Sequence, residues 1–420
     1  MMSWILLITL LLGFYMAWNI GANDVANAMG TSVGSKALTL KRAVILAGIL
    51  EFAGAFFVGS SVSETIQHGI VTPQIFQNDP TVFVIGMMGS LCATGVLLQI
   101  ASYFGLPIST THAIVGAVLG FGVCLGGMEA VQWGKVAEIA MSWVFSPLLS
   151  GIVAYFLFQL IQRKILYVSD PIGAARKWSP LLVFFCFLIA SMSFLFHGLK
   201  QLNLNLTFAP ALFFSALIAT PAALLSQRFM SPQLALASSN RGTIEKTTDV
   251  ETLFVYLQIL SACLVAFAHG ANDVANAIGP VAAVMNVLAT HSLDVQTHIP
   301  SWLLALGGGG IVLGLATWGW RVIETIGKKI TELTPTRGFC AEFGAAFTIL
   351  IASKLGFPIS TTHALVGAVF GVGLARGLKA LNLQTLKDIV ISWIVTIPFC
   401  AALSIAAFYF FRSLFSSLHI

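Results

Sequence analysis

Two sequence motifs occur twice in this chain, and this duplication restricts the fold more than any other feature. The segment Gly21–Ala28 reads GANDVANA and returns letter for letter at 270–277. A longer segment, 100–120, returns at 351–371 with 16 of its 21 positions identical. The motifs keep their order and nearly the same spacing. Because such self-similarity marks repeated structural units, we predict that the chain folds from two related halves.

The repeats lie in a strongly apolar chain. Hydrophobic residues make up 57% of the 420 residues and charged residues only 9%, and the mean hydropathy is +0.92. A soluble domain carries about 25% charged residues, so this chain cannot cover a water-facing surface. It also lacks the clustered basic face that nucleic-acid binding needs. The first apolar run continues into GANDVANA without a cleavage site, so we expect a retained first span and not a signal peptide.

Twelve apolar stretches are long enough to cross a bilayer, which takes about 20 residues of helix. Only helices satisfy their own backbone hydrogen bonds in lipid at this length, so we predict an all-α polytopic membrane protein with about 12 transmembrane helices. The predicted spans cover approximately residues 4–28, 43–60, 82–104, 108–127, 139–161, 180–196, 207–226, 252–280, 301–320, 339–355, 359–375 and 389–411.

Basic residues orient these spans. If the N-terminus is outside, most Lys and Arg fall in inner loops, as the positive-inside rule requires. We therefore predict a multi-pass protein of the cell (plasma or inner) membrane with both termini on the outer side. The two copies of each motif then lie on spans of opposite direction, which predicts an inverted repeat like that of many secondary transporters. The predicted parts are a first repeat at 1–161, two linking spans and cytoplasmic loops at 162–250, and a second, inverted repeat at 251–420.

The GANDVANA motif places polar side chains in an apolar span. Asn27 follows Asn23 by four residues and Asp24 by three, so the three side chains can converge on one spot of a helix. Oxygen ligands suit hard cations such as Na⁺, and a carboxylate inside a membrane usually marks a functional site. Hydrogen bonding between helices would explain the asparagines but not a duplicated aspartate. The predicted cation-binding residues are Asn23, Asp24, Asn27, Asn272, Asp273 and Asn276.

The longer motif contains Pro-Ile-Ser-Thr-Thr-His at 107–112 and again at 358–363. Proline breaks an incoming helix and suits the start of the next one, so each copy predicts a broken half-helix near the midplane. The hydroxyl residues then lie in a first turn whose backbone N–H groups lack partners, and such a turn binds anions. N-capping is the simpler explanation, although it does not account for the duplication. The predicted anion-binding residues are Ser109, Thr110, Thr111, Ser360, Thr361 and Thr362.

Two more carboxylates, Glu51 and Glu342, lie in apolar spans and are candidates for coupling to a cation or a proton. Hydrogen bonding between helices is the alternative. The two do not align under the repeat, since Leu91 stands at the position equivalent to Glu342. Their roles are therefore expected to differ.

Three histidines accompany the motifs. His112 and His363 follow the hydroxyl residues directly, and we expect them to pack behind the anion site or to respond to protons. A Ser/His pair without an acid partner is weak evidence for a nucleophile, so we predict no enzyme activity. His269 stands where Ile20 stands in the first GANDVANA copy, and the sequence assigns it no role.

Charge divides the two motifs between two ligands. The carboxylates of Asp24 and Asp273 would repel an anion unless cations lay between them. We therefore expect cations on the Asp/Asn clusters and an anion on the Ser/Thr helix ends. Each ion lowers the cost of burying the other, which is coupling in the thermodynamic sense.

With both motifs duplicated in this order, the chain resembles the inorganic phosphate transporter (PiT) family of ion-coupled symporters over essentially its whole length. The resemblance implies a twelve-helix inverted-repeat fold and phosphate import with Na⁺ or H⁺ by alternating access. It also implies phosphate contacts from the hydroxyl residues named above, cation contacts from the GANDVANA residues, and transport roles for Glu51 and Glu342. No prosthetic cofactor is implied.

The residues leave several alternatives open. Na⁺ or H⁺ can be the coupling ion, and the substrate can be free phosphate, a metal–phosphate complex or another oxyanion such as sulfate. A passive anion channel on the same repeats predicts flux without a cation gradient. A membrane receptor or scaffold predicts no flux at all. The oligomeric state is also open, and a homo-oligomer is compatible with the sequence.

Overall fold

The computed structural model describes residues 2–197, 206–237, 243–290, 292–293, 299–323, 334–377 and 383–417. Within these segments the backbone is helical apart from turns, connectors and an isolated bridge between Val71 and Val131. The α-helices are α1 (Met2–Gly34), α2 (Leu40–Val58), α3 (Ser60–His68), α4 (Pro80–Tyr103), α5 (Thr110–Gly126), α6 (Trp133–Ile161), α7 (Pro171–His197), α8 (Phe208–Ala237), α9 (Thr243–Thr290), α10 (Ser301–Thr317), α11 (Pro335–Lys354), α12 (Thr361–Arg376) and α13 (Leu383–Ser417). Two short 3₁₀ helices cover Pro73–Phe76 and Met128–Ala130, and a π-helical turn covers Gln162–Leu166.

Each predicted span overlaps a different helix, and α3 follows α2 at a bend of 68°. Among the described residues, 7 helices are long and apolar enough to cross a membrane, or 8 if the bent pair α2–α3 counts as one span. Helices α5 and α10 are apolar but shorter, at 17 residues each. The protein is thus a polytopic membrane protein that is helical throughout its described segments, apart from turns and connectors.

Helix α9 is much longer than its predicted span, which ended at Pro280. It runs for 48 residues, with Pro280 inside it. The residues after the proline, such as Val281 and Val284, are buried against other helices. Proline is tolerated within membrane helices because neighbouring groups satisfy the freed carbonyl, so the sequence signal for a helix end was overridden by packing.

The two halves of the chain interlock instead of lying side by side. Helix α1 packs on α10, and its counterpart α9 packs on α2. In the same way α12 packs on α6 and α5 packs on α13. Each of these contacts joins one half to the other. The α1–α10 contact corresponds to the α9–α2 contact with the halves exchanged, and the α5–α13 contact corresponds in the same way to the α12–α6 contact.

Glycines let the interlocked backbones approach closely. A Cβ atom at Gly21 would lie 1.9 Å from the carbonyl oxygen of Ile311, and one at Gly270 would lie 2.0 Å from the carbonyl oxygen of Glu51. Real side chains cannot occupy that space. Small residues at helix contacts are typical of membrane proteins. The pair of contacts also shows that Ile311 in α10 occupies the place that Glu51 occupies in α2.

Candidate anion and cation site

The first turns of α5 and α12 begin at equivalent serines. The Ser109 side-chain oxygen accepts a hydrogen bond from the His112 backbone N–H at 3.2 Å, and Ser360 accepts one from His363 at 3.2 Å. These two predicted anion ligands therefore act as N-caps in the structure. Each helix follows a connector that turns through a glycine with positive φ, Gly105 or Gly356. A left-handed backbone conformation of this kind favours glycine.

The threonines of both first turns contact the GANDVANA residues. The Thr110 hydroxyl donates to Asp24, and the Thr361 hydroxyl donates to Asp273 at 2.8 Å. The predicted anion and cation residues thus form one continuous site. With these hydroxyls bonded to carboxylates, the backbone N–H groups of the first turns are the donors best placed for an anion.

Two further hydrogen bonds cross between the halves. The Asn27 side-chain amide donates to the Thr362 hydroxyl at 2.8 Å, and the Asn276 amide donates to the Thr111 hydroxyl at 3.3 Å. Thr111 itself donates to the Ile359 carbonyl oxygen at 2.9 Å. Each half therefore completes the helix end of the other.

Asn23 and Asn272 hold the connectors before α5 and α12. The Asn23 amide donates to the Ser102 hydroxyl at 3.1 Å and to the Leu106 carbonyl at 3.0 Å. Asn272 makes the matching bonds to Ser353 at 3.1 Å and to the Phe357 carbonyl at 3.2 Å. The amide nitrogens of these two predicted cation ligands thus position the connectors, whereas Asn272 Oδ1 is buried without a hydrogen-bond partner among the described residues.

Oxygen atoms remain for a cation. Asn27 Oδ1, Asn276 Oδ1 and Asp273 Oδ1 are buried and have no hydrogen-bond partner among the described residues. Buried oxygens without donors are costly unless something positive contacts them. These atoms and the Asp24 carboxylate make a chemically suitable ligand set for a hard cation such as Na⁺.

A chain of three buried titratable residues leads away from Asp273. Its Oδ2 lies 2.9 Å from Nε2 of His269, and Nδ1 of His269 lies 3.2 Å from Oε2 of Glu51. All three side chains are buried. Ligand atoms of Asp24, His269 and Asp273 lie within 4.8 Å of one another. The sequence proposed Glu51 but missed His269, although its departure from the repeat, where Ile20 stands, was the available signal.

Glu342 lies in a separate pocket of hydroxyl and amide groups. Its Oε1 accepts from the hydroxyls of Thr31 and of Ser32, the latter at 2.7 Å, and its Oε2 accepts from Ser261 at 2.5 Å. The Gln258 amide lies 3.4 Å from Oε1. Sequence reasoning proposed Glu342 and missed these four partners, whose signal was only their polarity within the apolar helices α1 and α9.

Comparisons with known proteins agree on one family. The sequence profile described as "Phosphate transporter family" matches residues 20–404. The chain is 46% identical over 406 residues to a putative phosphate permease of Pyrococcus abyssi, covering 96% of this chain and 97% of the relative. It is 46% identical over 426 residues to inorganic phosphate transporter 2-1, chloroplastic, of Arabidopsis thaliana, covering 97% of this chain and 72% of that protein. A solved structure described as "The sodium-dependent phosphate transporter" superposes with a TM-score of 0.89 at 41% identity, covering 97% of this chain and 99% of that one.

Proposed function

This chain belongs to the phosphate transporter family, and from that premise we propose that it imports inorganic phosphate by symport with a cation, Na⁺ or H⁺, through alternating access. The observation that carries the proposal is the contact between two kinds of half-site. Thr110 donates to Asp24 and Thr361 donates to Asp273, so each helix end suited to an anion touches a carboxylate suited to a cation.

Electrostatics gives the reason for coupling. Two buried carboxylates beside an anion repel it, and a cation bound among Asp24, Asp273 and the asparagine oxygens removes that repulsion. The phosphate in turn balances the charge of the cation. Each ion then raises the affinity for the other by the same factor, as linkage requires. A passive anion channel has no use for this carboxylate pair.

Two features support different coupling ions. The unpartnered oxygens of Asn27, Asn276 and Asp273 suit Na⁺, and the solved relative is described as sodium-dependent. The Asp273–His269–Glu51 chain suits H⁺, because a histidine between two carboxylates can carry a proton. We propose Na⁺ at the oxygen cluster, with H⁺ as the competing assignment. Sulfate is the competing substrate.

The crossed contacts support the finer architecture. We propose that the twelve helices other than α3 cross the membrane fully or in part. Residues 1–161 and 251–420 would form repeats of opposite direction, linked by residues 162–250. Helix ends of α5 and α12 then face one midplane site from opposite sides, as in other inverted-repeat transporters. The distribution of Lys and Arg supports both termini outside a cell membrane.

Uptake by purified protein in liposomes tests the function. Radiolabelled phosphate is supplied under an inward Na⁺ gradient or an inward H⁺ gradient, each imposed alone, with labelled sulfate as the matched control substrate. We expect concentrative phosphate uptake with the Na⁺ gradient. Concentrative uptake with the H⁺ gradient alone would identify H⁺ as the coupling ion in place of Na⁺. Uptake of sulfate instead of phosphate would identify sulfate as the substrate. Equilibration without any gradient would show a channel, and absence of flux would show that the protein is not a transporter.

A further inference from the structure

Four aromatic rings pack in a row next to the first turns of α5 and α12. We define the ring cluster as His112, His363, Trp143 and Trp393. The two imidazole centroids lie 4.4 Å apart at an interplanar angle of 74°. The His112 ring lies 3.8 Å from the Trp143 ring, and the His363 ring lies 3.4 Å from the Trp393 ring. Both histidines are buried.

Each histidine is bonded to the main chain of the other half. Nδ1 of His112 lies 3.3 Å from the carbonyl oxygen of Trp393, and Nδ1 of His363 lies 3.3 Å from the carbonyl oxygen of Trp143. A carbonyl oxygen only accepts, so each Nδ1 carries the hydrogen. The ring of each histidine meanwhile packs on the tryptophan of its own half. The cluster therefore connects α5 to α13 and α12 to α6 by hydrogen bonds. The contact between the two imidazoles links these two connections.

The chemistry of the cluster is not that of simple packing. Nε2 of both histidines is buried without a hydrogen-bond partner among the described residues. Burying an unpaired nitrogen costs free energy that an apolar ring would avoid. The feature that a phenylalanine or leucine cannot supply here is the Nδ1–H bond to the opposite half.

The cluster adjoins the proposed anion donors directly. His112 follows Thr111 in the first turn of α5, and its backbone N–H is bonded to Ser109. His363 has the same relation to Thr362 and Ser360. Fixing the histidines therefore fixes the orientation of both first turns.

We propose that His112 and His363 are positioning residues that hold the two halves of the phosphate site in one fixed relation. This inference rests on the proposed function and extends it to residues that do not touch the ions. Each histidine makes one of the two Nδ1 bonds between the halves, and the two imidazoles contact each other. Loss of one histidine is therefore expected to release both first turns. The two histidines then act as a unit.

Kinetics of phosphate uptake by the full-length protein in liposomes tests this inference. We expect His112→Ala and His363→Ala each to raise the KM for phosphate about tenfold, with a much smaller change in the maximal rate per folded protein. The double variant should show about the same KM as either single variant, since the effects of groups that act together do not add. His112→Asn restores a side-chain N–H toward Trp393 and should recover most of the affinity.

A matched control removes another buried contact between the halves. Ser90 and Ser404 lie 3.2 Å apart, one on α4 and one on α13, and neither belongs to the ring cluster. Ser404→Ala should leave the KM unchanged. Three results would overturn the positioning role: an unchanged KM in both histidine-to-alanine variants, a multiplied effect in the double variant, or no recovery with His112→Asn. Normal uptake by the unmodified protein would still uphold the proposed function. Absence of phosphate uptake by the unmodified protein would overturn both.

Discussion

The Asp24 side and the Asp273 side of the core are built from identical motifs, yet only one of them carries an arm of two further titratable residues, His269 and Glu51. Both aspartates accept from a threonine at a helix start. Asp273 also contacts His269, which contacts Glu51. On the other side Ile20 takes the place of the histidine, and Ile311 takes the place of the glutamate. The common part and the unequal part can therefore be tested separately.

Under the proposed function, this difference predicts different tasks for the parts of the site. The groups that occur on both sides, the threonines and aspartates, are expected to serve the ions proposed to bind between the halves. The arm of His269 and Glu51 occurs once, so it can make the two aspartates unequal in their affinity for a cation or a proton. Glu342 is a second one-sided carboxylate, since Leu91 is its counterpart, and it lies in its own pocket.

The strongest test removes the charge that both sides share. Asp24→Asn and Asp273→Asn should each reduce phosphate uptake by about a hundredfold or more. Each change removes a carboxylate that pairs with the proposed cation, and removing one partner of a buried charge pair costs about 3 kcal/mol. Uptake into liposomes under the coupling gradient measures the effect, with Ser404→Ala as the control. Normal uptake in both variants would remove the cation site from these aspartates.

The next test makes the two sides equal. The double change Glu51→Ile and His269→Ile copies the residues of the Asp24 side and leaves no buried group of the arm unpaired. We expect a folded protein whose uptake is about thirtyfold slower, within the range of ordinary coupling energies, and whose dependence on the coupling ion is altered. Ile311→Leu serves as the control on the other side. An unchanged ion dependence would make the arm a structural element only.

A smaller effect sharpens the comparison at the threonines. Thr110→Ala should raise the KM for phosphate about tenfold, since a hydrogen bond to a charged group contributes about 1.5 kcal/mol. Thr361→Ala should raise it only about threefold, because His269 still orients Asp273. Initial rates over a range of phosphate concentrations give both values. Equal effects would show that the histidine does not hold Asp273 in place.

The smallest effect is expected at Glu342. Ser261→Ala removes one of four donors to this carboxylate; because the other three remain, we expect uptake to change by only about twofold, or about 0.5 kcal/mol. Ser90→Ala, beside Leu91 in the equivalent helix, is the matched control. A loss as large as that of Asp24→Asn would mean that the pocket around Glu342 belongs to the main ion site.

Each predicted span falls on a helix, because a long apolar stretch is most stable as a helix in lipid, but the sequence did not predict α3 as a separate helix. It predicted helix ends less well, since Pro280 lies inside α9 where packing overrides its usual effect. Motif duplication pointed to Asp24, Asp273 and the threonines. The partners of Asn23 and Asn272 depend on how the connectors fold back, and the contact of Glu51 with His269 joins residues far apart in the chain. Such contacts have no signal in local sequence.

The exchange of contacts between the halves also bears on how the protein arose. Two identical copies of an ancestral half, paired with each other, can form both Asn–Thr bonds, because each bond joins a residue of one motif to the other motif of its partner. The contact between His269 and Glu51 cannot form in such a pair. Two first halves would place Glu51 against Ile20, and two second halves would place His269 against Ile311. The shared site can thus predate the gene duplication, whereas the arm requires that the two copies had already diverged.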